Sequence, residues 1–187
     1  MAQKRKDWNG LIAGFKASDL VFLDESGCNT NMTRRYAYSL GGSRAVDSAP
    51  LSKPKNTTIL SSIQLDGTLH YTTFSGGTTV ERFKQYLESD LLPHLNGNSV
   101  LIMDNMKSHH VKAVKNLLDS SGVRYIYLPP YSPDLNPIEK LWSKVKSFLR
   151  KFKARTLDTL PNAIQNAFHS VTVSDCSGWF RFCGYAL

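Results

Sequence analysis

Val100-Leu-Ile-Met-Asp104-Asn105 and Tyr127-Leu-Pro-Pro-Tyr-Ser-Pro-Asp-Leu-Asn-Pro-Ile-Glu139 bound the stretch on which the rest of this 187-residue chain turns. Ser99–Met103 is a short apolar run, and it reads as a buried strand that ends at the carboxylate of Asp104. The proline-rich segment is a turn that opens a helix. Asn136 suits the N-cap, Pro137 the first helical position, and Glu139 falls in the first turn. Ile138, Leu141, Trp142, Val145, Phe148, Leu149 and Phe152 then recur as the buried stripe of that helix. Between the two quoted runs, Val111, Val114, Leu117 and Leu118 mark a helix closed near Gly122, and Val123–Leu128 a strand halted by Pro129-Pro130.

Upstream, Leu20–Asp24 is another short apolar run ending in an acid, followed by turn residues from Glu25 to Thr30. Arg34–Leu40 reads as a strand ended by Gly41-Gly42, and Asp47–Pro54 as a loop. Thr57–Leu65 and Thr68–Phe74 flank Asp66-Gly67, a strong hairpin signal. Val80, Phe83, Leu87 and Leu91 switch to helical spacing, with Pro93 as the stop. Antiparallel strands followed by alternating helices and strands predict an α/β protein of the ribonuclease-H-like kind: a mixed five-stranded sheet with helices on both faces. Residues 1–18 form a basic lead-in with a short helix around Trp8, Leu11, Ile12 and Phe15. Residues 19–155 form the core. Residues 156–187 form a helical extension, with Leu157, Leu160, Ile164 and Phe168 on one helix and an aromatic turn over Trp179–Tyr185.

Asp24, Asp104 and Glu139 each have a plain reading alone: a strand-end turn residue, a helix cap, and the capping-box partner of Asn136. Together they suggest a divalent-metal site, because functional groups in α/β sheets gather at the carboxyl ends of strands. Paired metal ions need hard oxygen ligands, and three carboxylates without a cation would repel one another. Mg²⁺ is the default for an all-oxygen site, with Mn²⁺ as substitute and two ions per site. Glu25 points to the opposite side from Asp24 in an extended strand and is not counted as a ligand.

Net charge is +8, and seven basic residues with no acid lie between Lys140 and Arg155, which suits a polyanionic substrate. At 100° per residue, Lys146, Arg150 and Lys153 share the flank of Glu139, a candidate phosphate-binding stripe; a merely solubilising role is the plain alternative. Arg34, Arg35 and His109 are further candidate DNA contacts, although an exposed helix-start histidine is as ordinary. No apolar stretch is long enough for a membrane span, and no signal peptide follows the basic N-terminus. Three cysteines without C-x-x-C spacing argue against a disulfide framework or zinc site and read as reduced thiols of a cytosolic protein. No convincing Ser/His/Asp order and no phosphate-binding glycine loop is present.

Leu23-Asp-Glu-Ser-Gly27, Met103-Asp-Asn105 with His109, and Leu128-Pro-Pro-Tyr-Ser-Pro-Asp-Leu-Asn-Pro-Ile-Glu139 resemble the DDE transposases of bacterial insertion sequences related to mariner. The 34 residues between the second and third acids match that family's spacing, and the resemblance runs from about residue 20 to the C-terminus. It implies a catalytic triad of Asp24, Asp104 and Glu139 holding the metals, and DNA contacts that include Asn105 and Asn136. It also implies cleavage at terminal inverted repeats, transfer of 3′-hydroxyl ends to target DNA at TA, a dimer on DNA, and a nucleoid-associated bacterial setting. Such transposases carry N-terminal helix-turn-helix modules, and no such module is seen here. A separate reading frame joined by frameshifting, truncation, or a degenerate element would each explain this, and the chain alone is expected to bind DNA by charge with little sequence specificity. A ribonuclease-H-like nuclease or resolvase that cuts without joining, and an inactive or domesticated DNA-binding subunit, are the alternatives.

Overall fold

In a computed structural model, described for residues 2–34, 36–51 and 54–185, five strands form one mixed sheet in the order β3-β2-β1-β4-β5. The strands are β1 (Leu20–Cys28), β2 (Thr57–Ile63), β3 (Leu69–Ser75), β4 (Val100–Met103) and β5 (Arg124–Tyr127). β1, β2 and β3 run antiparallel, whereas β4 and β5 add in parallel beside β1, joined by helix α3 (Lys112–Ser121) in a β-α-β unit. The remaining helices are α1 (Ala2–Ile12), α2 (Val80–Tyr86), α4 (Ile138–Phe152), α5 (Leu160–His169) and α6 (Val173–Phe182).

Side chains alternate across a strand, so each central strand serves two cores. Leu20, Phe22, Ile59, Val100 and Ile102 point into one cluster with α4, α5, α6 and Trp8 of α1. Val21, Leu23, Leu60, Leu101 and Met103 point into the other, with Phe83 and Tyr86 of α2 and Val114 and Leu118 of α3. Helices therefore cover both faces. The almost unbroken apolar runs of β1 and β4 have that cause: a strand buried on both sides has no polar face to alternate with.

Several expectations change, Leu157 among them, which is exposed and lies before α5 instead of on it. Arg34 and residues 36–40 form no strand. Both edges of β1 are taken by β2 and β4, and Tyr36, Tyr38 and Leu40 stand in solvent, so no ladder partner rewards extension there. Residues 25–28 are strand rather than turn, because they continue the antiparallel ladder with β2, from Asp24↔Ser61 to Cys28↔Thr57. The tail from Val173 is a full helix rather than an aromatic turn: Thr172 and Asp175 form a reciprocal capping box, and Lys144 of α4 bonds Asp175 at 2.5 Å. Helix α4 ends at Phe152, with Lys153 in the left-handed conformation, and Phe152 is half exposed instead of belonging to the buried stripe.

Candidate active site

The register of the parallel strands sets two of the acids side by side. Leu23 pairs with Met103, so Asp24 and Asp104 are the next residues of adjacent chains where β4 ends. By the period of two, Asp24 shares a face with Phe22 and Leu20, and Asp104 with Ile102, the face that α4 covers. α4 begins at Ile138, directly after the Pro129–Pro137 turn, and carries Glu139 in its first turn. All three carboxylates line one pocket of about 500 Å³, together with Asn105, Ser132 and Asn136.

Asp24 is the most constrained of the three. It is 8% exposed, accepts from the Glu25 backbone N–H at 2.8 Å and from the Trp142 indole N–H at 3.1 Å. Burial pushes its carboxyl up to about 7; the two donors oppose the rise, and the negative charges of Asp104 and Glu139 add to it. Asp104 is more open. Its Oδ1 accepts from the Met106 backbone N–H at 3.1 Å and lies 2.9 Å from Nδ1 of His109. The cap position of α4 is Pro137 rather than Asn136 and its first helical residue is Ile138; among the described residues no side-chain cap bond forms there, so the capping-box reading of Glu139 falls away and Glu139 lines the pocket. Glu25 turns to the other side and takes a hydrogen bond from the Thr78 hydroxyl.

Among the described residues, no group of three or more His, Cys, Asp or Glu side chains is preassembled to hold a metal ion. Like charge resists a tighter cluster until a cation offsets it. The donor set nevertheless fits a hard divalent ion: three carboxylates from separate elements, all oxygen, in a pocket that raises the cost of leaving Asp24 ionised without a positive partner.

The candidate DNA contacts divide. Asn105 and Asn136 line the pocket, Asn105 also bonding His110 at 2.5 Å. Asn136 is buried, and among the described residues its Oδ1 has no hydrogen-bond partner. Lys146 and Arg150 remain half buried on α4 beyond Glu139. Lys153 does not continue their stripe: it follows the helix, and its Nζ pairs with Asp47 at 2.6 Å. Arg34 is exposed in a separate hollow with Lys151 and Lys153, and Arg35 lies outside the described residues. His109 is fully buried, stacked on Phe83 with ring centroids 4.5 Å apart, so it is neither an exposed helix-start residue nor a DNA contact. Its Nδ1 lies against Asp104 Oδ1 instead. Trp142 was legible only as a member of the apolar stripe. An indole three residues after Glu139 was the available signal, because a buried N–H requires an acceptor.

A mixed five-stranded sheet of the ribonuclease-H-like kind, with carboxylates gathered where β4 ends, defines the class: an α/β fold with an acidic site. Within it, residues 19–161 match the family described as DDE superfamily endonuclease, and the chain belongs to that family. It is similar to the transposable element Tc1 transposase of Caenorhabditis elegans, 30% identical over 83 residues, which is 44% of this chain and 30% of that protein. Its fold matches a pre-cleavage Mos1 transpososome with a TM-score of 0.80 at 18% identity, covering 97% of this chain and 58% of the other. The catalytic domain of Mos1 mariner transposase matches at 0.72 and 16% identity, over 96% of this chain and 85% of that one. The chain thus spans well under two thirds of the Tc1 transposase and of the Mos1 chain in the transpososome.

Proposed function

We propose that this chain is the catalytic domain of a DNA transposase of the Tc1/mariner kind, which cleaves at transposon inverted-repeat ends and joins 3′-hydroxyl ends to target DNA. The observation that carries the reading is the convergence of Asp24, Asp104 and Glu139, from β1, β4 and α4, on one pocket inside the family-matched region. Mos1 structures named as paired-end and strand-transfer complexes, including paired-end complexes with Mn and with Mg, support DNA ends as substrate and a divalent ion as cofactor. Asp24, Asp104 and Glu139 would hold Mg²⁺ or Mn²⁺, two ions per site; when bound, the ions activate the attacking oxygen and stabilise the leaving one.

The chain's own residues prepare that chemistry. Trp142 and the Glu25 backbone N–H aim the Asp24 carboxylate, and His109 and the Met106 N–H fix one oxygen of Asp104. Lys146 and Arg150 on α4 supply positive charge for the phosphate backbone leading to the site. A TA target, a dimer on DNA and an insertion-sequence origin in a bacterial nucleoid complete the reading.

The test is metal-dependent nicking and joining on a pre-cut transposon end, comparing this chain with Asp104→Ala. Joined products that need Mg²⁺ or Mn²⁺ and vanish in the variant are expected. Metal-dependent cutting without joining would favour a ribonuclease-H-like nuclease, and equal products from both proteins would overturn the site assignment.

A further inference from the structure

The acidic pocket has a second half that phosphate chemistry does not require. Besides the carboxylates it is lined by Met106, Leu128, Pro129, Pro130 and Tyr131. A phosphodiester held by a metal site needs oxygen ligands and positive charge, not an apolar shelf. Something flat and apolar attached to the phosphate does fit one.

Tyr131 is the unusual member. It is 85% exposed, and within the described residues its hydroxyl has no hydrogen bond. Its φ is +55°, a left-handed conformation shared among described non-glycine residues only with Lys153. Such backbone is costly for a residue with a bulky side chain and persists only where the surroundings impose it; here the chain is confined between Pro130 and Pro133. The fold gains no burial and no bond from this ring, yet the turn presents it at the rim of the carboxylate pocket.

We propose that Tyr131 is a base-stacking residue: its ring, with the Pro129-Pro130 shelf, receives the nucleobase adjoining the phosphate that a divalent ion on the three acids would hold, after that base has left its own stack. This rests on the DNA-end reading above. Aromatic faces bind bases of any sequence, and removing one such platform weakens binding about 5- to 150-fold. A base inside an intact duplex has no free face, so the preference is for ends with an unpaired terminal nucleotide.

The experiment uses a duplex end with 2-aminopurine in an unpaired terminal nucleotide, and the wild type with Tyr131→Phe, Tyr131→Ala and Tyr131→Gly. Wild type and Tyr131→Phe should quench the probe and bind alike. Tyr131→Ala and Tyr131→Gly should lose quenching and bind about 5- to 150-fold more weakly. Tyr131→Gly should also melt at higher temperature than Tyr131→Ala, because glycine adopts the positive φ without strain. That keeps a folding defect from imitating the loss. Quenching by Tyr131→Gly equal to wild type, or none by wild type, overturns the stacking role. Wild type that quenches the probe but never cuts DNA overturns the transposase reading and leaves the stacking role standing. Cutting by a wild type that Tyr131→Ala matches in affinity and quenching does the reverse.

Discussion

Asp24→Asn should stabilise the protein in alkaline solution and destabilise it in acid. The Asp24 carboxyl ionises normally near 3.8 and in the fold at about 7. Between those values the folded chain holds a proton that the unfolded chain has released. The raised value therefore contributes stability that is complete below the unfolded value and is lost as pH rises through the folded one. At about 1.4 kcal/mol per pH unit, the loss across that window is about 4 kcal/mol. Asparagine keeps the shape and cannot ionise, but its amide leaves either the Trp142 or the Glu25 donor without an acceptor, a cost of about 1–3 kcal/mol at every pH. Urea unfolding in EDTA at a series of pH values should show the wild type the more stable in acid. The two curves should cross between about pH 4.5 and 6, with the variant ahead by about 1–3 kcal/mol in mild alkali. A difference that does not change with pH would refute the reasoning. Adding Mn²⁺ in mild alkali should raise the wild-type midpoint and barely move the variant, because a ligand stabilises only the form that binds it. An equal rise in both would remove Asp24 from the metal site.

Trp142→Phe removes a donor that holds the Asp24 carboxyl down, so the rising limb of the pH–cleavage profile should move up by roughly one pH unit; a lower rate on an unmoved limb would show packing alone. Replacing both Lys146 and Arg150 with Ala should reduce the slope of log affinity against log salt by about 2, read by DNA binding across a salt series. An unchanged slope would place the DNA on another face. Arg155 donates to the carbonyls of Thr30, Met32 and Ser48 at 3.0–3.1 Å, tying the start of the loop between β1 and β2 to a point further along it. Arg155→Ala should speed proteolysis within residues 36–51 by about tenfold while leaving global melting within a few degrees.

The legible parts of this protein were those written in local pattern. The strand carrying Val100 to Met103, the hairpin at Asp66-Gly67 and the stripe of α4 all follow from period and punctuation, which act over a few residues. Arg34–Leu40 misled because alternating residues describe a willing strand and say nothing of whether a sheet edge is free to pair with it. The residues from Glu25 to Cys28 misled in the opposite sense. Serine and glycine there are turn formers, but β2 supplied a partner.

The three acids, their spacing and the apolar strands that lead to two of them are properties of residue type and order, and they can be read before any folding. Tertiary structure alone decided their company. The Leu23↔Met103 register set Asp24 beside Asp104, and packing of α4 over that face brought the Trp142 indole to one carboxylate. Folding of the segment after Asp104 buried His109 against Phe83 and aimed its Nδ1 at the other. These partners lie as far apart as 118 positions in the chain, and no local preference reaches that distance. Sequence order fixes which groups are available, while burial and like charge, which exist only after collapse, set how strongly Asp24 resists ionisation.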